Sequence, residues 1–226
     1  MKRPTKSEDL FKTYCEALSY TVNNIPEAPD RTPDFRVTTP HGEIIAEVKE
    51  ARPNEEDVRI ATQGRLFGRA SWCDLPGKRV RAMLDKATGQ TRSFSDERLP
   101  CVLILYDNVV VDGFRPKYQN YFFSGFDLAS GMYGQLKTVV TFAGREVIGT
   151  KNELGGNRTL RTNKDQQMSA VCVLTDGVGT EPPFMRVYHN SFAALPLPRE
   201  IFSGLNDKHL KNPGDEKVFL NSWVEF

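Results

Sequence analysis

TPDFRVTTPHGEIIAEVKEA, residues 32–51, decides how this chain reads. DFRVTT and IIAEVK are apolar-alternating runs, and PHGE between them carries turn residues, so the stretch reads as strand, tight turn, strand. Side chains alternate between the faces of a strand. Ile44, Ala46 and Val48 therefore share one face, and Glu43, Ile45, Glu47 and Lys49 share the other. In the preceding strand Phe35 and Val37 lie on one face, Asp34 and Arg36 on the other. A short turn makes the two strands an antiparallel hairpin in which Asp34 and Glu47 face the same side. Two carboxylates and one ammonium then converge at the sheet edge.

Neighbouring carboxylates repel, and burying them without compensation is costly. A hard divalent cation removes that cost. Mg²⁺ takes one or two carboxylates, keeps several waters and is completed by substrate phosphate; Mn²⁺ can substitute. The metal acidifies a bound water and offsets charge developing on phosphorus. Lys49 is placed to orient that water or to neutralise phosphate oxygens. A plainer reading stays open: Asp34 caps a turn, and Glu47 with Lys49 is a solvated edge pair. The chain has a second Pro-Asp, at Pro29-Asp30, but the alternating strand starts directly after Asp34.

Outward from this stretch, residues 7–23 have helical periodicity, with Leu10, Phe11, Tyr14, Cys15, Leu18 and Val22 on one stripe and Ser7 as N-cap. PEAPDRTP (26–33) is a connection. Residues 51–76 carry a glycine-interrupted, partly helical pattern. Residues 77–90 read as a helix with Val80, Met83, Leu84 and Ala87 inward. PCVLILYDN (100–108) is the continuous apolar run of a strand buried on both faces. In the second half an aromatic-rich helix is expected within 117–133 and strands at 136–144, 168–176, 183–190 and 217–226. Residues 151–167 read as a long polar loop. The expectation is one α/β domain over 1–226: a mixed central sheet flanked by helices, with a β-rich C-terminal extension from 111.

Pro33-Asp34 followed by Glu47-Val48-Lys49 resembles the motif of the PD-(D/E)xK nuclease superfamily, the restriction-endonuclease-like proteins. The resemblance covers about the first half of the chain, 1–110, in the order helix, strands, helix, strand. Its first meander strand has only NNIPEA (23–28) to draw on. It implies a Mg²⁺-dependent endodeoxyribonuclease with Asp34, Glu47 and Lys49 catalytic. It further implies a metal held by Asp34, Glu47, the Val48 carbonyl and a carboxylate of the first helix. Glu8 borders the apolar stripe and is preferred for that role; Glu16 lies nearly opposite the stripe. The second helix would offer Lys78, Arg79, Lys86 and Gln90 to the phosphate backbone of DNA. Nucleases of this fold often act as homodimers, and a role in restriction or defence would fit.

The formal net charge is +1 over 226 residues, so any electropositive surface is local. Between Arg59 and Arg92 lie eight basic residues against two acidic ones, a candidate DNA-backbone surface or a solvated helix face. Arg158, Arg161 and Lys164 sit in a glycine-rich segment that reads as a surface loop. Tyr118, Tyr121, Phe122, Phe123 and Phe126 read as core, and His189 as a satisfied histidine at a strand end. The four cysteines form no CxxC pair, and neither a zinc spacing nor a GxxxxGK[ST] phosphate loop occurs. With no apolar run of membrane-spanning length and no signal-peptide core, the expected location is cytoplasmic. Two other functions stay open: a nuclease-like protein that binds nucleic acid without cutting, and a protein-interaction scaffold.

Overall fold

The computed structural model describes residues 4–27, 32–53, 55, 58–59, 77–108, 123–134, 136–154, 160, 165–177, 181–211 and 223–226. Helix α1 (Lys6–Ala17) starts at a capping box: the Thr5 side chain accepts from the Glu8 N–H, and the Glu8 carboxylate accepts from the Thr5 N–H. Thr5, not Ser7, is the N-cap. The helix also stops earlier than its periodicity predicts. Ser19 takes a left-handed φ of +60°. Its N–H donates to Glu16 O at 2.9 Å while the Tyr20 N–H donates to Cys15 O at 2.9 Å. That is a Schellman termination with serine where glycine is usual. The chain then turns straight into β1 (Thr21–Asn24), which supplies the first meander strand.

β1 pairs antiparallel with β2 (Phe35–Thr39), and β2 antiparallel with β3 (Gly42–Ala51). The β2–β3 register runs from Phe35 opposite Ala46 to Thr39 opposite Gly42. Only Pro40 and His41 are left for the turn. Gly42 has φ +125°, a conformation side chains resist, and Thr39 Oγ1 donates to Gly42 O at 2.8 Å to lock the corner. After a crossover containing α2 (Lys78–Thr91), β4 (Cys101–Asp107) lies parallel to β3. The helix α3 (Gly125–Tyr133) packs on α2. The contact is tight at Gly131, where a Cβ would stand 2.5 Å from Val80 Cγ1.

The second half extends the same sheet. β7 (Met168–Thr175) lies parallel to β4, β8 (Phe184–His189) antiparallel to β7, and β9 (Lys208–Lys211) parallel to β8. β10 (Val224–Glu225) closes an eight-stranded mixed sheet of order β1-β2-β3-β4-β7-β8-β9-β10. β5 (Leu136–Ala143) and β6 (Glu146–Leu154) form a separate hairpin. Residues 151–154, expected in a long loop, belong to β6, and β9 was not anticipated from its sequence. Much of the expected strand at 217–226 and the expected helical pattern in 51–76 lie outside the described residues. So do Tyr118, Tyr121, Phe122, Arg158, Arg161, Lys164 and Asp30.

Each face of the sheet carries its own core. On one face α1 covers Phe35, Val37, Ile44, Ala46, Val48, Val102, Ile104 and Cys172. On the other, α2 and α3 cover Ala51, Leu103, Leu105, Val171 and Val173. The alternation read along 34–49 is therefore correct. Full burial of each large aliphatic side chain contributes roughly 1.5–3 kcal/mol. In the middle, β7 is buried throughout and β4 up to its last residue, Asp107, which is why their sequences are nearly unbroken apolar runs. Among the described residues no helix is long and apolar enough to cross a membrane.

Candidate active site

The hairpin register decides the site. Because Phe35 sits opposite Ala46, Asp34 comes opposite Glu47. Glu47 shares a register position with Leu103 of β4 and points to the face covered by α2. Its side chain is fully buried, with Lys49 Nζ donating to Oε1 and no hydrogen-bond partner on Oε2. The solvated edge pair is thus excluded for Glu47. Asp34 is fixed from both sides: its Oδ2 accepts the Val48 N–H of β3 at 2.8 Å, and its backbone carbonyl accepts the N–H of Ile25, just beyond β1, at 3.0 Å. Lys49 keeps 26% of its side chain exposed, so its ammonium sits between the buried carboxylate and solvent.

The electrostatics follow from this placement. Burial and then the nearby Asp34 charge raise the Glu47 carboxyl, Lys49 offsets only part, and the net result is about 7. Burial also raises Asp34, opposed by the Val48 N–H and Lys49, while the charge of Glu8 adds to the rise. A fully buried carboxylate oxygen with no donor is an expensive arrangement unless something electropositive binds it. The donor set is hard oxygen, the kind Mg²⁺ or Mn²⁺ takes, and the residues therefore fit such an ion. Asp34 and Glu47 would hold it. Among the described residues no group of three or more His, Cys, Asp or Glu is gathered to hold a metal. The site consists of a carboxylate pair with Glu8 at electrostatic range.

The remaining predicted residues separate clearly. Glu8 is half-buried and its Oε2 accepts the Thr5 N–H at 2.7 Å; Glu16 is exposed. Lys78, Arg79, Lys86 and Gln90 all lie on α2, on the Glu47 side of the sheet. Gln90 Nε2 donates to Thr32 O at 3.1 Å and so tethers the connection leading into Asp34 and β2. Lys78 and Lys86 are exposed, and Arg79 is half-buried. Within the basic stretch Arg81 is structural, donating to Ser130 O of α3 at 3.1 Å. Arg65 and Arg69 lie outside the described residues.

His189 is satisfied, as its sequence context implied. Its Nε2 lies 2.8 Å from His209 Nδ1, and His209 Nε2 lies 3.0 Å from Phe202 O. Burial, then the neighbouring His209, lowers His189 to about 4, and burial lowers His209 as well.

One group went unread in the sequence. On the α1 face of β3, Glu50 Oε2 accepts the Ser7 N–H at 3.2 Å, and its Oε1 accepts from Arg52 Nε at 2.6 Å and Asn108 Nδ2 at 2.9 Å. Beside it, Lys6 Nζ reaches the Tyr106 hydroxyl at 2.6 Å, and that hydroxyl donates to Asp176 Oδ2 at 3.0 Å. The available signal was the polar residues that follow each apolar run: Glu50, Asn108 and Asp176 at the carboxyl ends of three mutually parallel strands. Ligands in open α/β sheets gather at those ends. Comparison with protein-family models, with curated proteins and with solved structures returns no match for this chain.

Proposed function

We propose that this protein is a metal-dependent endonuclease that hydrolyses phosphodiester bonds in DNA. The observation that carries the reading is the buried, unpartnered Oε2 of Glu47, set beside Asp34 and followed two residues later by Lys49. Asp34 and Glu47 would hold Mg²⁺ or Mn²⁺, with the Val48 carbonyl between them in sequence. Bound there, the ion supplies an acidified water and charge for the phosphate. Lys49 is partly exposed and can swing from Glu47 toward an incoming phosphate oxygen or the attacking water. Lys78, Arg79, Lys86 and Gln90 on α2 share the Glu47 side of the sheet and would meet the DNA backbone. The element order helix, three-strand meander, helix, parallel strand supports a restriction-endonuclease-like arrangement. The test is cleavage of supercoiled DNA with Mg²⁺. Lys49→Ala should lose cleavage while keeping DNA affinity, and undiminished cleavage by that variant would contradict the reading.

A second reading is favoured by one observation: Glu8 is committed to the helix cap, which among the described residues leaves two carboxylates, Asp34 and Glu47, at the site. On that reading the protein binds nucleic acid or a protein partner without cutting. Salt-dependent DNA binding with no cleavage across metals and substrates would select it.

A further inference from the structure

We propose that Arg36 is a positioning residue for the candidate metal site: with Gln90 it clamps the far end of α2 to the hairpin on both sides of Asp34, and so holds that carboxylate opposite Glu47. This rests on the metal-site reading above. Phe35 and Val37 lie in the core covered by α1, so Arg36 between them projects to the other face, the face of Asp34 and Glu47. It stands opposite Ile45, one same-face step from the Asp34–Glu47 pair, about 7 Å along the strands. Its guanidinium forks between two carboxylates. Nη1 donates to Glu43 Oε2 of β3 at 3.3 Å, and Nη2 donates to Glu97 Oε2 at 2.5 Å. Glu43 in turn accepts from Thr38 Oγ1 at 3.1 Å.

Glu97 is the last residue of a short 3-10 helix (Arg92–Glu97) that runs on directly from α2. Arg98 then takes a left-handed φ of +55°, a conformation that glycine favours, and the chain passes into β4. Pro100 O accepts the N–H of Ile45, the residue facing Arg36, at 3.0 Å. The connection from α2 to β4 is therefore bonded to both strands of the hairpin, at the step next to the carboxylate pair. Near the end of α2, Gln90 Nε2 donates to Thr32 O at 3.1 Å. Thr32 and Arg36 stand two residues before and two residues after Asp34. The side chains of Arg36, Glu43 and Glu97 stay 31%, 42% and 40% exposed, and ion pairs that exposed contribute little to stability. What they add is location. Asp34 directly precedes β2, and a carboxylate at a strand entrance serves an ion when its flanks are held in place.

The test is Mn²⁺ calorimetry, alone and with saturating nonhydrolysable oligonucleotide, on wild type, Arg36→Gln, Glu97→Gln and the double variant. A guanidinium near a cation site opposes the cation. Charge alone would therefore make Arg36→Gln bind Mn²⁺ more tightly and Glu97→Gln less tightly. The clamp predicts weaker binding in both, by about tenfold for Arg36→Gln, the low end of the cost of losing a group that orients a ligand. The double variant should be little worse than Arg36→Gln, because both changes cut the same bond. Arg36→Lys should recover part of the affinity. Gln90→Ala, which cuts the other tie, should weaken Mn²⁺ binding in the run without oligonucleotide, where no phosphate contact is at stake. Metal-free thermal melts of Arg36→Gln and Glu97→Gln should stay near wild type. Tighter or unchanged Mn²⁺ binding in Arg36→Gln, or a melt lowered enough to account for its loss of binding, overturns the proposal while leaving the metal site standing. No Mn²⁺ uptake by wild type in either run overturns the metal site and this inference with it.

Discussion

Glu47 and Glu50 belong to one strand, Glu47 fully buried and Glu50 with little of its side chain exposed, and they behave oppositely. Glu50 has its oxygens filled by a backbone N–H, a guanidinium and an amide, and these donors lower its pKa despite the cost of burial. Glu47 has one lysine for one oxygen and nothing for the other, with a second carboxylate across the hairpin, and its pKa rises to about 7. A carboxylate that serves the fold collects donors from the chain. One that is left short of them, in a place reached by a partly exposed lysine, is the one we propose as an ion ligand. The contrast separates an anchoring charge from a reserved one without appeal to any relative.

The largest expected effect bears on the reserved side. Glu47→Gln or Asp34→Asn should lower Mg²⁺-dependent cleavage by about a thousandfold or more, equivalent to roughly 4 kcal/mol of barrier. The same Glu47→Gln should leave the metal-free fold as stable as wild type or more so at pH 8, since it removes a buried charge short of partners. Loss of stability in that variant, measured by denaturant unfolding, would erase the contrast. Glu50→Gln should do the reverse, destabilising the protein by about 1–3 kcal/mol because it strands the donors it leaves behind.

The pH dependence sharpens the same comparison. The folded-state pKa of Glu47 is raised, so its stabilising contribution is complete below the ordinary glutamate value and is lost as pH climbs through about 7. The folded-state pKa of Glu50 is lowered, so its contribution is present above the ordinary value and is lost as pH falls below it. Metal-free protein should therefore lose stability between about pH 5 and 8 by on the order of 1–3 kcal/mol from Glu47. Thermal melts should show that decline vanish in Glu47→Gln, and shrink when Mn²⁺ is added. A decline identical in wild type and Glu47→Gln would mean that another group causes it.

Smaller effects belong to α2. Lys86→Ala should reduce DNA affinity a few-fold and lower the salt slope by about 0.9, as expected for one lost phosphate contact. Gln90→Ala removes its bond to Thr32 O and should cost about 0.5–1.5 kcal/mol in unfolding free energy. An unchanged salt slope in Lys86→Ala would take that residue out of the interface.

The hairpin at 34–49 was legible because its information is local: alternation fixes faces, a short turn fixes register, and together they put Asp34 opposite Glu47. The end of α1 was not legible, because a serine does the work usually given to glycine, and the apolar period runs on through Leu18 and Val22. β6 was lost for a related reason. It pairs with β5 through a bulge between Thr141 and Phe142 and contains Gly149, and its residues 146–150 stand largely in solvent, with Val147 57% and Ile148 64% exposed. No buried face imposes an alternation on those residues. Glu50 escaped because its role is defined by partners distant in sequence, Ser7 and Asn108, which only the parallel pairing of β3 with β4 brings near.

The central claim is that the Asp34–Glu47 pair is a cation site. The most direct test is Mn²⁺ titration calorimetry on wild type and Asp34→Asn, alone and with a nonhydrolysable oligonucleotide to supply phosphate. The account predicts saturable binding to wild type that strengthens with the oligonucleotide and disappears in Asp34→Asn. Heat that is absent from wild type in both runs, or equal in wild type and variant, would contradict it.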